Sequence, residues 1–273
     1  MTLLKIGWFS TGRGEGSRQL LKTAHHYIEN GAIKGKIDFV FCTREPHESE
    51  QTDIFFEMAK SYNIPVTHLS FQKFKRNYEK LGPEYVEGTS SLRIEYDREV
   101  MRLIKDFTPD ICVLAGYMLI VGDEMCQKYN MINLHPALPG GPTGTWKEVI
   151  WNLIDNRAAE SGIMIHLVTP DLDRGPVITF CKYPITGEKF DGLWQNIEGL
   201  TSNEIQIKEG EDNELFRLIR QHGASRELPL IVLTLKALCN GDISIVGGKV
   251  LDNNGKQITG YDLSDEVNSM ASL

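Results

Sequence analysis

The chain has 273 residues, 41% of them hydrophobic and 24% charged, with a formal net charge of −8. That length buries a sizeable core as one large domain or as one domain with an appendage, and the mix is that of an ordinary soluble globular protein. The acidic balance argues against a nucleic-acid partner, whose backbone selects a basic surplus, and no apolar run approaches the roughly 18 residues of a membrane span.

A small anionic substrate stays open, because one local pocket can oppose the global sign. The cysteines (Cys42, Cys112, Cys126, Cys181 and Cys239) are scattered and show no metal-ligand spacing. They read as reduced thiols, and the expected setting is cytoplasmic. The opening run has a lysine inside it and reads as a first strand, not a signal peptide.

That run, "LLKIGWFS", stops at "TGRGEGS", after which Leu20, Leu21, Ala24 and Ile28 recur at helical spacing. "KIDFVFCT", "IPVTHLSF", "DICVLAGYML" and "MINLHP" supply four more β-rich runs, separated by helical patterns such as "QTDIFFEMAKSY" and "RIEYDREVMRLIKDF". The alternation predicts an α/β fold, a Rossmann-like, mostly parallel twisted sheet flanked by helices. After residue 161 the rhythm changes, and "IMIHLVTP" and "PVITFCKYPI", joined by "DLDRG", predict an antiparallel pair. Residues 187–213 are polar, acidic and poorly periodic and read as a surface excursion. "ELFRLIRQHGASRELPLIVLTLKALCNG" reads as one long or two broken helices, and "DISIVGGKVLDNNGKQ" as a closing hairpin. The expected organisation is a catalytic core over 1–187, with 188–273 packing on the same domain.

Three places carry chemistry. Gly12, Gly14 and Gly16 fit neither a dinucleotide fingerprint nor a Walker loop, but glycines ahead of a helix N-terminus expose free N–H groups to a phosphate. A tight turn that binds nothing is the alternative. Asn133 and His135, two apart on a strand, emerge on one side at its carboxyl end, where open α/β sheets bind ligands. An amide donor beside an imidazole suits a reaction that builds an oxyanion on a carbonyl; a capping Asn beside a satisfied His is the plain alternative. In "DLDRGPVI", Asp171 and Asp173 lie where a carboxylate reaches a histidine and raises its pKa, and one of the two is expected to do turn chemistry only. His166 is either a core histidine or a second pocket wall. Neither a Gly-x-Ser-x-Gly nor a His-Glu-x-x-His occurs, and no metal site is expected.

"LAGYMLIV", "INLHPALP" and "HLVTPDLDRGPVI", in that order, resemble the folate-dependent formyltransferases, the glycinamide ribonucleotide branch most of all. The resemblance runs from residue 4 to about 187 and returns faintly in "SRELPLIVLTLKALCNGDI". It implies formyl transfer from 10-formyltetrahydrofolate, a co-substrate, to a primary amine on a small phosphorylated acceptor. It makes Asn133 the oxyanion donor, His135 the group that steadies the intermediate and assists proton movement, and Asp173 the group that orients His135 and relays a proton. It also implies a folate pocket of Met118, Leu119, Ile120 and Val121, with Val168, Thr169, Pro170 and Asp171 opposite. The acceptor phosphate would sit on Gly14, Glu15, Gly16 and Ser17, with Arg93 as the substrate-phosphate arginine.

The sequence departs from the family pattern on the acceptor side. Arg18 stands where the family has Asn, and Leu119 where it often has Arg. The span from His135 to Gly162 is slightly lengthened, and Glu227 lies near, but out of register with, the acidic residue that would hold ribose hydroxyls. An amino-sugar nucleotide formyltransferase and a formyltetrahydrofolate deformylase are the rivals within the fold; the deformylase loses ground because this chain begins directly with strand one. From residue 188 onward there are 8 Lys and Arg against 14 Asp and Glu, which speaks against a tRNA-binding module. From another class, a non-catalytic nucleotide-binding protein would tolerate loss of His135.

Overall fold

The computed structural model describes residues 3–80 and 89–271. The first half is a run of strand-helix units: β1 (Leu4–Ser10), α1 (Glu15–Glu29), β2 (Gly35–Cys42), α2 (Glu50–Ser61), β3 (Val66–His68), α3 (Phe71–Glu79), α4 (Thr89–Leu103), β4 (Ile111–Leu114), α5 (Asp123–Lys128) and β5 (Met131–His135). The second half comprises α6 (Trp146–Asp155), β6 (Glu160–Leu167), β7 (Val177–Pro184), α7 (Glu188–Asn196), α8 (Ser202–Lys208), α9 (Glu214–Asn240), β8 (Ile243–Val246), β9 (Lys249–Asp252), β10 (Tyr261–Asp262) and α10 (Ser264–Met270). Eight strands form one sheet in the order β10-β7-β6-β5-β4-β1-β2-β3, and β8 and β9 form the expected separate hairpin.

Pairing is parallel from β3 through β5, then antiparallel between β5 and β6 and between β6 and β7. The chain leaves β1 toward β2 and β3, then returns to place β4 on the other side of β1. The carboxyl ends of β1 and β4 therefore flank the point where the winding reverses, and loops diverge there to leave room for a ligand. The Thr11 N–H donates to Gly116 O at 3.0 Å, so the connections after these two strands touch.

Both faces of the parallel strands are apolar, as burial beneath two helical layers requires. Ile6 and Trp8 face one layer with Leu21, Phe55 and Phe216; Phe9 faces the other with Phe39, Phe41, Tyr96 and Tyr117. Phe9 meets Phe39 and Tyr117 edge-on, with centroids 5.7 and 5.8 Å apart, the geometry that sets a positive ring edge on a negative face.

The segment expected to be a surface excursion is instead helical. In α8, Thr201 and Glu204 form a reciprocal capping box, and Phe190, Ile197 and Ile205 are buried. Three inward apolar residues among many charges suffice to dock two short helices without producing a visible period. α3 was not expected either: it buries no residue fully, and the Ser70 hydroxyl caps it by accepting the Lys73 N–H. The long segment is one helix that passes through Pro229 and ends at Gly241, whose φ of 79° supplies the left-handed stop. β10 and α10 were also unforeseen; two residues are too few to show a strand period.

α9 packs on α6 through Phe216, whose ring lies 4.6 Å from that of Trp151 and 5.8 Å from that of Trp146. Phe216→Ala is expected to cost about 3–5 kcal/mol by cavity formation. Urea unfolding checks this: the midpoint should fall while the far-ultraviolet spectrum stays native, and a midpoint shift worth less than about 1 kcal/mol would show that α9 does not depend on this contact.

Candidate active site

β5 delivers Asn133 and His135 to one face of the sheet. β6 returns antiparallel with Asn133 opposite His166, and directly opposed residues share a face. Asn133 Nδ2 lies 3.4 Å from His166 Nε2. The β6–β7 turn then folds back hard: a Cβ on Gly175 would lie 1.8 Å from the Leu167 carbonyl oxygen, so only glycine fits. Asp173 takes a left-handed φ of 55°, which aspartate tolerates better than most residues.

This path brings the Asp173 carboxylate between two rings. Oδ2 lies 3.5 Å from His135 Nδ1, and Oδ1 lies 3.6 Å from His166 Nε2. The Gly144 N–H donates to Oδ2 at 3.0 Å. All three side chains are buried, His135 and His166 at 2% exposure and Asp173 at 8%. His135 Nε2 lies 2.7 Å from the Pro142 carbonyl and His166 Nδ1 lies 2.8 Å from the Leu167 carbonyl. A carbonyl only accepts, so each of those nitrogens carries a proton, and each ring turns its other nitrogen toward Asp173.

Burial holds the His135 ring below the ordinary imidazole value, against the opposing pull of the Pro142 carbonyl and of Asp173. A carboxylate was expected to raise this histidine; it pulls in that direction, but desolvation wins. At Asp173 burial pushes the carboxyl up, yet the neighbouring His166 ring, the Gly144 N–H and the charge of His135 together hold it below its ordinary value. Asp171 is exposed, and its backbone carbonyl closes the turn by accepting from the Thr169 hydroxyl at 3.1 Å and from the Arg174 N–H at 3.2 Å.

Of the remaining expected residues, Met118 and Ile120 stand 58% and 53% exposed on the β4–α5 connection, Leu119 is half-buried, and Val121 points inward. Val168 and Thr169 are half-buried and Pro170 is exposed. Gly14 precedes α1, and Glu15, Gly16 and Ser17 form its first turn, where N–H groups have no helical partner. A Cβ at Gly14 or Gly16 meets nothing within 4 Å, whereas Gly12 has a φ of 61° and abuts Phe55, so Gly12 is the position that requires glycine.

Arg93, expected at the acceptor phosphate, flanks the Met118–Gly122 connection: its guanidinium lies 5.2 Å from the Phe71 ring centroid, its Nη1 is buried without a partner among the described residues, and its Cγ neighbours Gly122. Arg18 binds Glu15 and Gln51, and Glu227 binds Arg220. The residue that sequence reasoning left undecided is His166. Nothing in the apolar run around it marks it as a site residue until β6 pairs with β5 and sets it opposite Asn133. Among the described residues no group of three His, Cys, Asp or Glu side chains is placed to hold a metal ion, and no helix is long and apolar enough to cross a membrane.

Residues 12–193 match the formyl transferase family, two thirds of the chain. The chain belongs to that family. This formyltransferase is similar to phosphoribosylglycinamide formyltransferase of Dictyostelium discoideum, 29% identical over 154 residues that span 53% of this chain and 70% of that protein. It is also similar to the enzyme of the same name from Escherichia coli (strain K12), 34% identical over 113 residues, 39% of this chain and 50% of that one. Among solved structures, phosphoribosylglycinamide formyltransferase from Coxiella burnetii superposes with a TM-score of 0.64 over 95% of this chain and 99% of that one, at 20% identity. A formyltetrahydrofolate deformylase from Burkholderia mallei gives 0.58 over 94% and 69%, at 15% identity. Identities of this order speak for the fold, and the expected architecture stands.

The carboxyl of Asp97, on α4, is 1% exposed, and burial lifts it to about 6 against the Gly122 N–H and the Arg93 charge. A folded value above the unfolded one means that the fold favours the protonated form. Its contribution to stability is therefore full below about pH 4 and is lost as pH rises through about 6. Asp97→Asn removes that titration. Chemical denaturation should find the variant more stable than wild type near pH 7.5, by up to about 3 kcal/mol, with the gap closing toward pH 4; a wild type more stable at the higher pH would contradict this.

Proposed function

We propose that this formyltransferase moves the formyl group of 10-formyltetrahydrofolate to the primary amine of glycinamide ribonucleotide, a step of purine synthesis, in the cytoplasm. The observation that carries the reading is the Asp173 carboxylate set within 3.6 Å of two imidazoles beside the Asn133 amide. Residues 1–187 furnish the catalytic core, and 188–273 pack on the same domain.

The amine nitrogen attacks the formyl carbon, and the carbonyl electrons move onto oxygen. The Asn133 Nδ2–H is the donor for that oxyanion, and His135 steadies it by turning its Nε2–H from the Pro142 carbonyl to the oxyanion. Collapse re-forms the carbonyl and breaks the bond to the folate nitrogen. The amine has lost one proton and the folate nitrogen gains one, so the transfer balances; Asp173, with a water, relays it while fixing the orientation of His135. His166 Nε2 accepts from the Asn133 amide and helps to orient it. Met118, Leu119, Ile120 and Val121 with Val168, Thr169, Pro170 and Asp171 form the donor pocket. The first-turn N–H groups of Gly14 through Ser17 receive the acceptor phosphate, where unpaired donors and the helix dipole favour an anion. Arg93 supplies the cation for an anionic group of a substrate.

Loss of absorbance of a 10-formyl folate, followed with and without glycinamide ribonucleotide, tests the reading. Turnover should require the ribonucleotide, fall by several orders of magnitude in His135→Ala, and fall by roughly 10²–10³ in Asn133→Ala. Turnover without any amine would assign a deformylase instead, and full activity in His135→Ala would remove the site.

A further inference from the structure

Met118–Gly122 joins β4 to α5 and belongs to no helix or strand, so no ladder fixes its backbone. Two side chains do that instead. The Met118 N–H donates to Thr11 Oγ1 at 3.2 Å, and the Gly122 N–H donates to Asp97 Oδ2 at 2.6 Å. Each pin is buried, Thr11 at 8% exposure and Asp97 at 1%, and each comes from a distant part of the chain: the end of β1 and the middle of α4. Thr11 grips the connection a second time through its own N–H on Gly116 O, so it brackets Tyr117. The Thr43 hydroxyl donates to the same Thr11 oxygen at 3.1 Å and fixes how that oxygen faces Met118.

Between the pins, Met118 and Ile120 stand out into solvent, with Leu172 also 51% exposed on the opposing turn. Solvent gives such a segment no reason to hold one shape. The fold gives up stability to hold it: Asp97 Oδ1, Arg93 Nη1 and the Tyr117 hydroxyl are all buried without a partner among the described residues. Buried polar atoms left unsatisfied in one small region are uncommon in native proteins, and they cluster where position is kept at the expense of stability.

We infer that Thr11 and Asp97 are positioning residues that hold Met118–Gly122 preformed for the folate donor, and that Thr11, which directly precedes the glycine turn, ties this segment to the acceptor turn. The inference rests on the folate reading proposed above. A preformed wall binds more tightly because its ordering is done before the ligand arrives. Neither side chain touches the reacting atoms, so their loss acts on affinity more than on turnover.

The test compares Thr11→Val, which keeps the shape and removes the hydroxyl, with Thr11→Ser, and Asp97→Leu with Asp97→Asn. Direct binding of 10-formylfolate and steady-state KM and kcat are the readouts. Thr11→Val and Asp97→Leu should weaken donor binding about tenfold and raise donor KM in proportion, with kcat within about threefold of wild type, while Thr11→Ser and Asp97→Asn restore binding. Acceptor KM should rise in Thr11→Val and not in Asp97→Leu. Donor binding within twofold of wild type in Thr11→Val overturns the inference, and so does a loss that serine fails to restore; if Asp97→Leu does not fold, the Thr11 pair decides alone. An unchanged acceptor KM in Thr11→Val overturns the tie between the two turns. A wild type that does not bind 10-formylfolate defeats the functional reading itself, and the inference with it.

Discussion

The antiparallel register of β6 on β5 is the constraint on which the site depends. It sets His166 opposite Asn133 and Met164 opposite His135, so an imidazole and an amide share one face without any loop having to place them. Side chains alternate along a strand, and a slip of one residue would turn His166 to the far side of the sheet. The same register ends β6 where the chain must double back within a few residues, and Gly175 against the Leu167 carbonyl lets it do so. Asp173 reaches both rings only because of that turn. The strained φ of Asp173 and the absent side chain at Gly175 are two halves of one local solution.

The protons follow from the same geometry. Because Pro142 and Leu167 present carbonyls, each ring spends one N–H on the backbone and turns its remaining nitrogen to a carboxylate whose pKa is held low and which accepts the Gly144 N–H. A neutral ring there faces Asp173 with a lone pair; a charged ring faces it with a donor, but at the cost of burial. Burial wins at His135, so the ring is biased toward neutrality while a proton acceptor waits beside it. Both groups are thus held below their ordinary values, which leaves the ring biased to neutral beside an ionised carboxylate.

Much of this was legible because the chemistry is written in short contiguous stretches. The β-rich runs of the parallel half are apolar on both faces, and the pair Asn133 and His135 sits in one of them, so the strand and the place of the candidate pair at its carboxyl end are legible together. What stayed hidden depends on partners far away in sequence. His166 in an apolar strand reads equally well as core until its opposite residue is known. α7 and α8 bury only a few residues each, too few for a period to rise above their charges. Arg93 has a helical context that says nothing of what the next layer presents, and the structure presents Phe71 and Gly122. Thr11 was invisible as a pin, since its partner Met118 lies 107 residues on.

The two sides of the site are built differently, and that bears on what sets the acceptor. The donor side is held by buried side chains and by a backbone with fixed ends. Two charged residues near the expected recognition elements are used internally: Arg18 binds Glu15 and Gln51, and Glu227 binds Arg220, whose guanidinium lies 4.8 Å from the Trp146 ring centroid. A side chain already paired must break that pairing before it can bind a ligand, and the exchange yields little net free energy. The first-turn N–H groups of α1 have no such rival. On the proposed reading, acceptor recognition falls first on an anion at the start of α1.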